Sequence, residues 1–206
     1  MGIDSGMAIT CSDLQAVGGT RFVCLRKWQA TDAVVFDDAT HSISSIKLGA
    51  ADAQWGVYES RIESSSLTVS ATNEGKFYTS YECTVSWFIP GFTAAQFLAL
   101  HAFEGGDCMM ALIVDNNDNT SGDTIPTANQ DSNFVIGVSN TLENEDDDLR
   151  TQQYCTLKSI EGGTGAAFSD EIGVTVTIGC TQFETPRNYT GAITLDADGL
   201  GVTTGA

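Results

Sequence analysis

Between Ser64 and Ile89 the chain alternates. Phe77, Thr79, Tyr81, Cys83, Val85, Trp87 and Ile89 fall on one side of a two-residue repeat, and Tyr78, Ser80, Glu82, Thr84 and Ser86 on the other. That is the period of a half-buried strand. Leu67-Thr68-Val69-Ser70-Ala71 alternates in the same way, and Asn73-Glu74-Gly75-Lys76 between the two runs offers glycine where a tight turn needs positive φ. The pattern predicts a long antiparallel hairpin. After Pro90-Gly91 the period changes: Ala94 to Phe103 is rich in Ala and Leu, Thr93 and Gln96 have capping-box spacing, and Gly105 follows. This is the one segment that predicts a helix.

Further strands are predicted on both sides. Arg21–Leu25 and Ile43–Leu48 precede the hairpin. Cys108–Val114 is continuously apolar, as in a strand covered on both faces, and Phe134–Val138 is another such run. Tyr154–Ile160 alternates weakly. Val174, Val176, Ile178 and Cys180 alternate with Thr175, Thr177, Gly179 and Thr181. Gly18-Gly19, Gly105-Gly106 and Gly162-Gly163 punctuate the series, and Pro90, Pro126 and Pro186 mark element ends. Many short strands with one helix predict an all-β fold, an antiparallel β-sandwich or barrel. Residues 1–187 read as one domain with an N-terminal arm and a long inserted loop at about 31–55. Residues 188–206, rich in Gly and Thr, read as a C-terminal arm or flexible tail. The insertion is too long for a free loop. Its apolar residues Val34, Val35, Phe36, Ile43, Ile46, Leu48 and Trp55 are the candidates for contacts between subunits, and removal of residues 32–53 is expected to leave a folded monomer.

Charge changes the picture. Of 206 residues, 27 are acidic and 9 basic, a formal net charge of −18, while 42% are hydrophobic. An apolar content this high is that of a folded chain and not of a disordered acidic tail. One-signed acid repels phosphate, so adhesive binding to nucleic acid or anionic lipid is disfavoured. The acid concentrates in Asp115–Asp123 (Asp115, Asp118, Asp123) and in Glu143–Asp148 (Glu143, Glu145, Asp146, Asp147, Asp148). No apolar run has the length of a membrane helix, and Met1–Gly6 lacks the basic and apolar regions of a secretory signal.

Catalytic and metal-binding patterns are missing. The six cysteines, Cys11, Cys24, Cys83, Cys108, Cys155 and Cys180, are dispersed and mostly in apolar runs. They read as reduced thiols without metal. His41 and His101 lie near no nucleophile motif, phosphate loop or zinc-binding helix, so no enzyme and no cofactor is expected. Counted from Asp115, an EF-hand would need glycine at Thr120 and glutamate at Pro126, so that motif fails. The sequons at Asn119 and Asn188 have no export signal to give them meaning.

The order of elements completes the reading: an apolar strand, an irregular insertion, the hairpin, one short helix, an apolar strand with a polar loop, and a late alternating strand. With Ser66–Glu82 as hairpin and Asp170–Phe183 as closing strand, the chain resembles the major tail tube protein of long-tailed bacteriophages across about residues 21–186. The resemblance implies a β-sandwich or barrel subunit forming rings, usually of six copies, that stack around a channel for DNA. It also implies a virion location after assembly in the host cytoplasm, with partners limited to further copies and other tail proteins. A wall lined with carboxylates would repel DNA and let it pass without adhesion. The rival reading is a monomeric cell-surface or carbohydrate-binding β-sandwich that uses Trp28, Trp55 and Tyr58 as exposed aromatics.

Overall fold

A computed structural model describes residues 19–29, 32–49, 54–59, 64–73, 79–91, 93–101, 108–115, 124–125, 133–140, 153–164, 172–195 and 201–204. The fold is all-β, with one short helix among the described residues, as the sequence predicts. The strands in chain order are β1 (Thr20–Lys27), β2 (Ala33–Asp37), β3 (Ser42–Lys47), β4 (Trp55–Glu59), β5 (Ser66–Thr72) and β6 (Ser80–Pro90). The helix α1 (Ala94–His101) follows, then β7 (Met109–Asp115), β8 (Thr124–Ile125), β9 (Phe134–Ile136), β10 (Thr156–Gly163), β11 (Gly173–Gln182), β12 (Arg187–Tyr189), β13 (Ile193–Leu195) and β14 (Gly201–Thr204).

They form two sheets. The larger runs β2-β3-β12-β9-β7-β1-β4-β14-β13-β8, and the smaller runs β10-β11-β6-β5. Pairing in the smaller sheet is antiparallel throughout. In the larger sheet, β12 runs parallel to β3 and antiparallel to β9. The larger sheet curls so far that strands remote in its order meet: Thr204 Oγ1 on β14 donates to the Ile46 carbonyl on β3 at 2.6 Å, and Trp55 Nε1 donates to Thr204 Oγ1 at 3.2 Å.

This curl explains the continuous apolar runs. Phe22 and Cys24 of β1 and Met110, Leu112 and Val114 of β7 point into the curl, where Ile43, Ile46, Trp55, Val135, Tyr189 and Ile193 meet them. Val23, Leu25, Ala111 and Ile113 point the other way, against Cys83, Val85, Trp87, Val174, Val176 and Ile178 of the smaller sheet. A strand buried on both faces needs no alternation, so β1 and β7 read as solid hydrophobic blocks. The period-two strands β6 and β11 bury one face only. At one end of the inter-sheet core, Leu100 of α1 is inserted. The helix start is the expected capping box: Thr93 N donates to Gln96 Oε1 at 2.8 Å and Gln96 N to Thr93 Oγ1 at 3.3 Å.

Two expectations about organisation are corrected. The stretch read as an inserted loop is largely the hairpin β2–β3 and the start of β4, and its apolar residues build core. Ile43, Ile46 and Trp55 are fully buried, and Val34, Phe36 and Leu48 pack on the same cluster. Asp32, at the head of this stretch, is buried too. It accepts from Arg26 at 2.9 and 3.1 Å and from the amides of Gly49 and Gln29. Burial alone would raise its pKa, but these donors outweigh burial and hold it below the usual carboxylate range. The described part of residues 32–53 therefore contributes to the folding core, and removal of the segment would take Ile43 and Ile46 with it. Likewise, the segment after 187 is no loose tail in its described part: β12, β13 and β14 are integral strands, with Tyr189 and Ile193 fully buried.

Candidate assembly surface

The smaller sheet turns one face to the inter-sheet core and the other outward. Register fixes the outward residues: Ser66 lies opposite Ser86, Thr68 opposite Thr84 and Ser70 opposite Glu82 across β5–β6. Thr177 lies opposite Ser86 across β6–β11, and its hydroxyl donates to Ser86 Oγ at 3.3 Å. Gly179 lies opposite Thr84, and the Lys158 stem crosses it. The result is a face rich in hydroxyls, interrupted by the half-buried Phe88 opposite Thr175. Among the described residues its charges are Glu82, Glu161 and Lys158, a nearly balanced set in a chain that is otherwise strongly acidic.

Both rims of this sheet are open: among the described residues β5 pairs only with β6, and β10 only with β11. Each therefore has a row of backbone donors and acceptors facing away from the sheet. Val69 on β5 is 43% exposed. Beside it lies a groove of about 300 Å³ lined by Leu67, Val69, Phe134, Thr185 and Pro186. An adjoining cavity of about 230 Å³ shares Leu67 and Phe134 and reaches Thr20, Ser66 and Asp115. Ser65, just before β5, donates to the Thr20 carbonyl at 2.7 Å, and Thr20 and Ser65 also join hydroxyl to hydroxyl. This pins the start of β5 to β1.

The residues singled out in the sequence are mostly elsewhere. Of the candidate assembly residues only Val35, on the β2 rim of the larger sheet, is strongly exposed, at 51%. Val34, Phe36, Ile43, Ile46, Leu48 and Trp55 serve the core, because the segment they lie in folds back as a hairpin over the curl. Of the candidate lumen acids, Asp115 ends β7, half-buried, with its amide donating to Asn133 Oδ1 at 3.3 Å. It belongs to the larger sheet and is not part of the hydroxyl face. Asp118, Asp123, Glu143, Glu145, Asp146, Asp147 and Asp148 lie outside the described residues. Of the aromatics of the rival reading, Trp55 is fully buried, while Trp28 and Tyr58 are half-buried, Trp28 packing on Tyr154 with ring centroids 5.7 Å apart and Tyr58 on Trp87 at 6.0 Å.

The ion pairs among described residues tie segments together. Arg187, nearly buried, reaches Glu184 Oε2 at 2.8 Å and Asp38 Oδ1 at 2.7 Å, and its guanidinium lies over the Phe36 ring at 5.1 Å. Asn140 joins the same group, donating to Asp38 from its side chain and to Glu184 from its backbone. This network fastens the β2–β3 turn to β12. Among the described residues no group of His, Cys, Asp and Glu has the arrangement of a metal site, and no helix is long and apolar enough to cross a membrane. The signal that sequence reasoning missed was the serine–threonine content of the non-core positions of β5, β6 and β11. It is legible in the alternation, as the polar half of the two-residue pattern. In comparison with known proteins, no family model, no curated protein and no solved structure matches this chain.

Proposed function

We propose that this chain is a self-assembling structural subunit, a tail-tube-like virion protein whose copies join into rings and stacked rings around a channel for DNA. The observation that carries this reading is the four-stranded sheet with two open rims. The β5 rim of one copy and the β10 rim of the next can pair head to tail, extending the sheet from subunit to subunit. Such a heterologous contact closes into a ring when its rotation allows. The groove of Leu67, Val69, Phe134 and Pro186 beside β5 would be covered by the same contact. In such a ring the hydroxyl face lines one surface of a continuous sheet. Hydroxyls without a cluster of Lys or Arg supply no counter-charge to phosphate, so DNA in contact with them would slide and not adhere. The acidic excess of the whole chain adds repulsion at longer range. The partners are further copies and other tail proteins. Neither a cofactor nor a chemical step is part of this role, and assembly would take place in the host cytoplasm.

The test is negative-stain microscopy with sedimentation velocity of the purified chain, wild type against Val69→Lys. Wild type is expected as rings or tubes. The variant is expected as folded monomers, because a charge on the open rim blocks strand pairing. Wild type sedimenting as a monomer at all accessible concentrations would overturn the proposal. Rings that persist in Val69→Lys would remove β5 from the contact.

A further inference from the structure

Three of the cysteines that look scattered in sequence converge in the inter-sheet core. Cys83 on β6 and Cys180 on β11 are directly opposite each other in antiparallel register. Residues so placed have Cα atoms roughly 4.5–5.5 Å apart, within the span of roughly 4.4–6.8 Å that a disulfide requires. Both side chains lie in the inter-sheet core, as does that of Cys155, and the Cys83 thiol donates to the Tyr81 carbonyl at 4.0 Å. Cys155 sits at the seam of the two sheets, bonded through its backbone to Met109 of β7 at 2.8 and 3.1 Å. A shared scaffold holds the group: Gln182 Oε1 receives the Cys180 thiol at 3.6 Å and the Gly137 amide at 3.3 Å. At Gly137, where φ is +83°, an added Cβ would lie 2.9 Å from Cys155 Sγ, so the backbone is pressed against this sulfur. Cys24 faces the other core and Cys108 is exposed, so neither belongs to the group.

We propose that Cys180 is the central sulfur of a buried oxidation site, forming an intramolecular disulfide with Cys83 or with Cys155 when the protein meets a hydroperoxide. Hydrogen peroxide is the oxidant considered because it is close to water in size and can enter a core that excludes larger disulfides. The Cys180 thiolate attacks one peroxide oxygen. An S–O bond forms, the O–O bond breaks, and hydroxide leaves and takes up the thiol's proton as water. The Cys83 or Cys155 sulfur then attacks the sulfenic sulfur. An S–S bond forms, and the hydroxyl leaves with the attacking thiol's proton as a second water. Two thiols are oxidised by two electrons, and one peroxide is reduced to two waters. The third thiol can attack the new bond and move it, so the linkage has two positions that share Cys180. The neighbouring Cys180 thiol, and then burial, push the Cys83 thiol up, and the neighbouring Cys155 thiol is the first cause that pushes Cys180 up. Reaction is therefore far slower than at the exposed Cys108. The Cys83–Cys180 link would close a loop of about 100 residues and so restrict the unfolded chain strongly.

The experiment uses the full chain carrying Cys11→Ser and Cys108→Ser, treated with hydrogen peroxide under native conditions. Free thiols are then titrated in denaturant, and unreduced peptides are mapped by mass spectrometry. The expected result is loss of one pair of thiols per chain, recovery of Cys83–Cys180 or Cys155–Cys180 peptides, a raised melting temperature, and reversal of all three by dithiothreitol. Cys24 stays reduced. Adding Cys180→Ser is expected to abolish the pairwise loss. Because that variant removes a buried group, Cys83→Ser and Cys155→Ser are tested singly as well, and each is expected to leave the other linkage to Cys180 intact. Thiols that stay reduced in the native chain, or links that join Cys24 or separate chains, would overturn the proposal.

Discussion

The larger sheet curls until β3 and β14 meet through Thr204, although β2 and β8 still end its order, whereas no such side-chain tie joins the two rims of the smaller sheet among the described residues. In the larger sheet, β3 and β14 are brought together by Thr204, the strands between them wrap one core, and charged residues such as Asp32 and Arg187 are held by several partners each. In the smaller sheet, β5 and β10 end the order with nothing further paired to them among the described residues, and the outward positions of the sheet are rich in Ser and Thr. Stability is thus built into one sheet and interaction capacity is left in the other. The comparison predicts that the two respond differently to mutation: damage to the larger sheet should appear as lost folding, and damage to the open rim as lost assembly.

The strongest break is Trp55→Ala. Trp55 is fully buried inside the curl, and truncation of such a side chain costs about 3–5 kcal/mol. Chemical denaturation is expected to show this loss, and a midpoint unchanged from wild type would remove Trp55 from the core. Next is Asp32→Ala, which leaves Arg26 buried without its carboxylate at a cost of about 3 kcal/mol. The same residue sharpens the comparison through pH. Its folded-state pKa lies below the unfolded value of about 3.9, so its contribution is complete above that pH and is lost as the pH falls through the folded-state value. Below about pH 4, wild type should therefore lose stability more steeply than Asp32→Ala. Equal slopes in acid denaturation would dismiss the linkage.

Thr204→Val is a smaller break. It deprives the Ile46 carbonyl of a donor and Trp55 Nε1 of an acceptor, for about 1–3 kcal/mol. Amide exchange in β3 and β14 should rise more than in β6 if Thr204 holds the curl shut. The smallest effect on folding belongs to Val69→Lys, a change at an exposed rim within about 0.5 kcal/mol by thermal unfolding. A large loss of stability there would mean that β5 is more deeply integrated than its exposure indicates.

The β5–β6 hairpin, β7, β11 and the capping box of α1 were legible because each is specified by its own local pattern. Of the β2–β3 hairpin, β3 was legible in Ile43–Leu48, but β2 and its pairing with β3 were not, for a reason visible at Ser44. The pairing steps from Val35↔Ser45 to Phe36↔Ile43, so Ser44 is an extra residue on β3. This bulge puts Ile43 and Ile46, three positions apart, into the same core and breaks the two-residue repeat that marks a strand. β12 is only three residues long and follows Pro186, and its partner β3 lies in a distant part of the sequence, so no nearby pattern announces it. Most of the assembly candidates lie in or against the core, because a bulged hairpin can bury the apolar residues of a mixed segment within the chain, and Val35 alone of them is strongly exposed. The open rims and the hydroxyl face follow from strand order, and strand order is not written in any one segment.

The parallel pairing of β12 with β3 bears on the order of folding. Ile46 and Thr204, which meet at the seam of the larger sheet, are 158 residues apart. Because β12 stands between β3 and β9, a nascent chain that has not yet released this late segment holds a sheet with a missing central strand. Contacts of this sequence separation cost loop-closure entropy before they return any stabilisation, and they slow folding. The smaller sheet needs nothing beyond β11, so its rims would be formed while the larger sheet is still open. Premature pairing between rims on neighbouring nascent chains is therefore the hazard specific to this topology.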